Sequence, residues 1–134
     1  MIKAVDVLGA LEPLPVLHGR TPDTPAAAAS AAFATLVTYE AGGVFAGRFD
    51  GTSPWERHPG GDELVQILQG AAKVTLLTQD GPTVLDMRAG MLTVVPRDCW
   101  HRFEAPMGVT VLTMTPRPTI HSRAADPRMD AAAG

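Results

Sequence analysis

The segment SPWERHPGGDELVQILQG, residues 53–70, sets a carboxylate, an imidazole and a second carboxylate close together: Glu56, His58 and Glu63, with Gly70 beyond them. Glu56 and His58 are two residues apart, so an extended backbone points both the same way. In DELVQIL, Glu63 shares the face of Val65 and Ile67 if the stretch is a strand. A carboxylate on an apolar strand face needs a reason, because burying an unpaired charge is expensive. A bound cation would supply one. Later in the chain, Cys99, His101 and Phe103 share a face by the same alternation. These residues are the makings of a carboxylate and imidazole cluster inside a β-barrel.

The elements that would hold such a cluster are strands. From residue 32 onward the chain breaks into short runs rich in Val, Leu, Ile and Thr: AFATLVTYE, GVFAGRF, ELVQIL, AKVTLLT, TVLDMR, MLTVVP and GVTVLTM. Turn residues bound each run: Ala41 to Gly43, Gly70, Asp80-Gly81-Pro82, Ala89-Gly90, Pro96-Arg97-Asp98 and Met107-Gly108. Seven or eight regularly spaced strands predict an antiparallel sandwich or barrel. Helical periodicity is absent from this region.

The flanks read differently. AVDVLGAL can form a short helix, which Gly9 weakens by about 1 kcal/mol relative to Ala. EPLPVLHGRTPDTP reads as loop, since proline fixes φ and removes donors. TPAAAASAA reads as a linker or a single helical turn, and RPTIHSRAADPRMDAAAG as a tail that frays or lies over the surface. The expected division is an N-terminal segment at 1–31, a barrel at 32–118 and a tail at 119–134.

A chain of 134 residues suits one domain with a sizeable core. The formal net charge of −3, with no basic run, argues against a nucleic-acid partner. Cys99 is the single cysteine, so no intrachain disulfide can form, which fits a reducing compartment. The opening MIKAVDVLGALEPLPVL is broken by Asp6, Glu12 and two prolines and makes a poor secretory signal. No apolar stretch approaches the length of a membrane span, so no membrane partner is expected and the expected location is cytoplasmic.

The two histidine-bearing stretches resemble the cupins, small RmlC-like jelly-roll barrels (double-stranded β-helices). The first cupin motif, G-x5-H-x-H-x3-4-E-x6-G, is matched by His58, Glu63 and Gly70. Glu56 stands in place of the leading histidine, and Gly51 lies one residue closer than the pattern states. The second, G-x5-P-x-G-x2-H-x3-N, is matched by Gly90, Pro96 and His101, with Asp98 for its glycine and Ala105 for its asparagine. Aspartate tolerates left-handed backbone better than most residues, so the turn at Asp98 survives.

The resemblance implies an all-β cupin fold over residues 32–118, with His58, Glu63 and His101 as ligands to a divalent metal ion: Mn, Fe, Zn or Ni. As a fourth ligand, Glu56 would make a set of two imidazoles and two carboxylates, which favours Mn over Cu. As a non-ligand it would leave two histidines and one carboxylate, with Glu56 a catalytic base beside an open position. A third reading has the metal lost and Glu56 paired with Arg57, Arg97 or Arg102.

Cys99 reads as a small buried residue rather than a redox centre. Trp55 and Trp100 each precede a site residue, so their indoles should point away from the cavity. His18 and His121 lack spaced partners and read as exposed. Since cupins host many activities, the resemblance implies a metal-dependent protein acting on a small molecule, with oxygenase or isomerase chemistry among the options. A non-catalytic small-molecule sensing module and a metal-free structural barrel are the alternatives. Leu64 and Leu68 alternate away from the Glu63 face and need cover, which predicts a homodimer with the N-terminal segment crossing to the partner.

Overall fold

Nine strands make one continuous hydrogen-bonded sheet that curls on itself, in the computed structural model, which describes residues 2–133. The chain opens with α1 (Val7–Leu11), whose Asp6 side chain accepts from the Gly9 N–H at 3.0 Å. A strand, β1 (Leu17–Arg20), and a second helix, α2 (Ala26–Ala32), lead into the hairpin β2 (Phe33–Tyr39) and β3 (Gly42–Thr52). Next come β4 (Trp55–Arg57), β5 (Glu63–Thr78), β6 (Gly81–Arg88), β7 (Leu92–Val95) and β8 (His101–Pro116). The chain closes with β9 (Ile120–Ser122) and two 3-10 turns, Pro127–Met129 and Ala131–Ala133.

Every pairing is antiparallel except β1 on β3. The first half of β5 pairs with β7 and the end of β8, while its second half pairs with β6 and the start of β8. These two long strands therefore run through both layers of the jelly roll. Both bend where Gly70 meets Gly108: Gly70 has φ +74, and a Cβ on it would stand 2.2 Å from the Gly108 carbonyl oxygen. Phe49, Val65, Ile67, Val74, Phe103 and Val111 are buried at the centre. A smaller cluster of Leu11, Leu36 and Ala46 sits beneath α1 on the outside.

The all-β jelly roll is as the sequence predicts, with three differences. ELVQIL and AKVTLLT are one strand, because the glycine between them bends the ladder without ending it. GVTVLTM likewise is the end of a sixteen-residue strand that begins at His101. LHGR is a strand, paired through Leu17–Phe49 and Arg20–Gly51, despite its loop-like composition. Of the two readings of the tail, lying over the barrel is the one that fits: β9 extends the edge of β4, Pro127 and Ala133 are buried, and Arg57 donates to the Ala133 carbonyl at 2.9 Å. The N-terminal segment packs on the barrel of its own chain, β1 against β3 and α1 over Leu36 and Ala46. Among the described residues no helix is long and apolar enough to cross a membrane.

Candidate metal centre

Three ladder positions and the residue just past β4 bring the site together. Glu56 on β4 is the register partner of His101 on β8, so the two side chains leave adjacent strands on one face. His58 follows two residues after Glu56, and Glu63 opens β5 opposite Val95 of β7. The alternation read from DELVQIL holds: Glu63, Val65 and Ile67 are all buried. His58 and His101 are buried as well, their ring centroids 5.1 Å apart.

Glu63 stands between the two imidazoles. Its Oε1 is 3.0 Å from His101 Nε2 and its Oε2 is 3.2 Å from His58 Nε2. Glu56 Oε2 lies farther out, 4.0 Å from His58 Nε2, and its carboxylate is half-buried. One donor atom each from Glu56, His58 and His101 falls within 4.8 Å of the others.

The surrounding residues orient these donors. A carbonyl oxygen only accepts, so the 2.9 Å contact from His101 Nδ1 to the Cys99 carbonyl places the proton on Nδ1. That leaves the Nε2 lone pair aimed into the site. His58 Nδ1 is held by the Thr119 hydroxyl at 3.0 Å, and the Thr115 hydroxyl donates to Glu63 Oε2 at 2.6 Å.

These donors fit a divalent ion. His58 Nε2, His101 Nε2 and Glu63 Oε1 are buried and make no aligned hydrogen bond among the described residues. Buried polar atoms without partners are costly, and a cation would satisfy all three together. Donors bound at about 2.1 Å at right angles to one another stand about 3.0 Å apart. Glu63 keeps close to that spacing to both imidazoles, with a different oxygen toward each.

The charges respond to the same contacts. Burial pushes the Glu63 carboxyl up, but His101 and His58 outweigh it and hold the group at about 2. Burial pushes His101 down, and Glu63, Glu56 and the Cys99 carbonyl outweigh it, so its value is raised. The opposed shifts come from one contact, in which the Glu63 carboxylate favours a positive charge beside it.

The centre opens onto a cavity of about 250 Å³. Phe33, Phe45, Phe49 and Phe103 form its apolar wall, with Glu56, Glu63 and Arg20 as its charged residues. Arg20, Thr115 and Thr119 were not legible as site residues. Arg20 lies in a stretch that reads as loop, and the threonines belong to no motif.

The other expectations can be placed one by one. Asp98 has φ +60, the left-handed turn expected of it, and accepts from Arg57 at 2.6 Å. Arg97 donates to the Pro59 carbonyl and Arg102 lies 3.8 Å from Glu104, so none of the three arginines considered as partners for Glu56 takes that role. The Trp55 indole packs under Arg102 and donates to the Ala125 carbonyl, and Trp100 lies under Arg57. The Cys99 thiol packs against the core, and burial raises its pKa, as befits an inert thiol. His121 is exposed, and His18 pairs with Asp50 at 2.6 Å.

A curled antiparallel sheet enclosing a histidine and carboxylate cluster defines a class of barrel, and comparison with known proteins names it. Residues 36–114 match the cupin domain model, and the chain belongs to the cupin family. None of the curated protein sequences matches the chain. Among solved structures, protein NMB1881 from Neisseria meningitidis is 15% identical, with a TM-score of 0.63 over 86% of this chain and 100% of its own. A conserved protein of unknown function from Streptococcus pyogenes is 24% identical, with a TM-score of 0.55 over 64% of this chain and 73% of its own. Oxalate decarboxylase from Bacillus subtilis, described with Mn(II) centres, is 16% identical, with a TM-score of 0.53 over 58% of this chain. This chain spans only 23% of that enzyme's length. These likenesses show the fold.

Proposed function

We propose that this cupin holds one divalent metal ion through His58, Glu63 and His101, with Glu56 at the remaining position, and acts on a small molecule in the adjoining cavity. The observation that carries the reading is the buried Glu63 carboxylate set between two imidazole nitrogens that lack aligned partners. The mixed set of nitrogen and oxygen donors suits Mn, Fe, Zn or Ni. A bound ion would act as a Lewis acid on an oxygen-bearing substrate.

The protein's own groups do the rest. Cys99 and Thr119 fix the imidazoles, and Thr115 holds Glu63. The phenylalanine wall gives the cavity an apolar lining beside these donors. Glu56, facing that cavity, either completes the ligand set or accepts a proton from the substrate. Residues 32–118 form the barrel unit, and within the flanking segments β1, α1 and β9 complete its wall and edge. In this reading the protein is a cytoplasmic homodimer.

Elemental analysis of protein made without an affinity tag tests the metal. The expected result is about one divalent ion per chain. Protein without metal that takes up none of Mn, Fe, Co, Ni or Zn would refute the reading. His101→Ala should abolish binding.

A further inference from the structure

Arg20 is a buried charge that the metal reading leaves without a role, with Glu56 as the carboxylate that acts on it across the cavity. The residue is only 9% exposed and lines the cavity beside Glu56 and Glu63. Its guanidinium lies over the Phe49 ring, 4.7 Å from the centroid, and 5.6 Å from that of Phe33. Among the described residues no carboxylate lies within 4.0 Å of it. Its Nε is buried without a hydrogen-bond partner. A buried cation with unmade bonds is costly, whereas stacking on an aromatic face returns only part of that cost. Stacking also leaves the edge of the guanidinium free, and that edge presents parallel N–H donors matched to a carboxylate.

The rest of the cavity narrows the partner. Four phenylalanines supply a wall suited to an apolar or aryl body. With a divalent ion in place, Arg20 and the ion against Glu56 and Glu63 leave one formal positive charge in excess, which a monoanion cancels.

We infer that Arg20 is a substrate-binding residue and that the cavity takes a small monocarboxylic acid with an apolar body, its carboxylate clamped by the Arg20 guanidinium. The inference rests on the metal reading for its charge balance and on the cavity alone for its geometry. Arg20 comes from β1, outside the residues that match the cupin model.

Calorimetric titration of metal-loaded protein with benzoate, hexanoate, their primary amides and inorganic phosphate tests this. At least one acid should bind tenfold or more tightly than its own amide, and phosphate should bind weakest. Arg20→Gln should bring the acid to the level of its amide while metal content stays at the parent's value. Arg20→Lys, which keeps the charge but loses the fork, should fall between. Acids binding no better than amides, no binding of any acid, phosphate binding tightest, or an unchanged acid affinity in Arg20→Gln would each overturn the proposal. The parent's comparison of acid with amide needs no variant, so a misfolded Arg20→Gln protein would not rescue it. Acid selectivity in protein that takes up no metal would sink the metal reading and leave Arg20 its role. Full metal occupancy without acid selectivity would do the reverse.

Discussion

Arg20 and Gly51 are register partners in the parallel β1–β3 pair, and a Cβ on residue 51 would stand 2.2 Å from the Arg20 carbonyl oxygen. Gly51 also has φ +102, where other residues are strained. The glycine that opens the first cupin-like motif therefore lets the strand bearing Arg20 close against the barrel. Gly51→Ala should destabilise the fold by at least about 1–3 kcal/mol from backbone strain. It should also lift β1 away from Phe49. Urea unfolding would measure the first effect, and weaker binding of the carboxylic acid the second. An unchanged unfolding midpoint would show that β1 does not depend on this contact.

Much of the barrel was legible because alternation is a local signal. Glu63, Val65 and Ile67 face inward as DELVQIL predicts, and the His101 face follows the same rule. The unusual φ of Asp98 was legible from residue type. LHGR, WER and IHS were not read as strands, because three or four residues with charged or small side chains carry no period. Their strand character comes from the neighbours they pair with. Arg20 was hidden for that reason: its place in the cavity is set by pairing with a strand thirty residues away in the chain.

Metal-free protein should be most stable in a mildly acidic window. The Glu63 value is lowered in the fold from 4.5, so its contribution is complete above about 4.5 and is lost as pH falls toward about 2. The His101 value is raised from 6.5, so its contribution is complete below about 6.5 and is lost as pH rises through the raised value. Both shifts describe one contact, and their windows overlap between pH 4.5 and 6.5. Thermal melting with chelator should peak there, relative to Glu63→Gln followed over the same range. A constant difference between parent and variant across that range would contradict this assignment.

The outer face of β7 and β5 predicts self-association. Leu92 and Val94 are 58% and 49% exposed, and Val94 pairs across to Leu64, which in turn pairs with Met114. Leu64 and Leu68 are only half-buried in the single chain. These apolar side chains, with Gln66 among them as the partner of Leu92, would be stabilised by burial against a second copy. Light scattering at micromolar concentration should give a dimer, and Leu92→Asp with Val94→Asp should give a monomer of unchanged metal content. A parent that is already monomeric would end this reading.

Glu56 decides how many protein groups hold the ion. At 4.0 Å from His58 Nε2 it is the most distant of the four residues, and the only one of them that is not fully buried. Three outcomes separate its roles. If it is a ligand, Glu56→His should keep the metal and shift preference toward ions that favour imidazole. Glu56→Gln should then weaken binding, because it removes a negative charge beside the cation at nearly constant shape. If Glu56 is instead a base facing an open position, Glu56→Gln should leave metal affinity unchanged and abolish turnover, since an amide cannot accept the proton. If it serves only the charge balance of the cavity with Arg20, Glu56→Gln should leave the metal alone and tighten binding of the carboxylic acid by removing a repelling charge. Titration of the parent and both variants with Mn and Zn, followed by acid binding, reads all three. Equal metal affinities in the three proteins would remove Glu56 from the ligand set and leave His58, Glu63 and His101 as the whole of it.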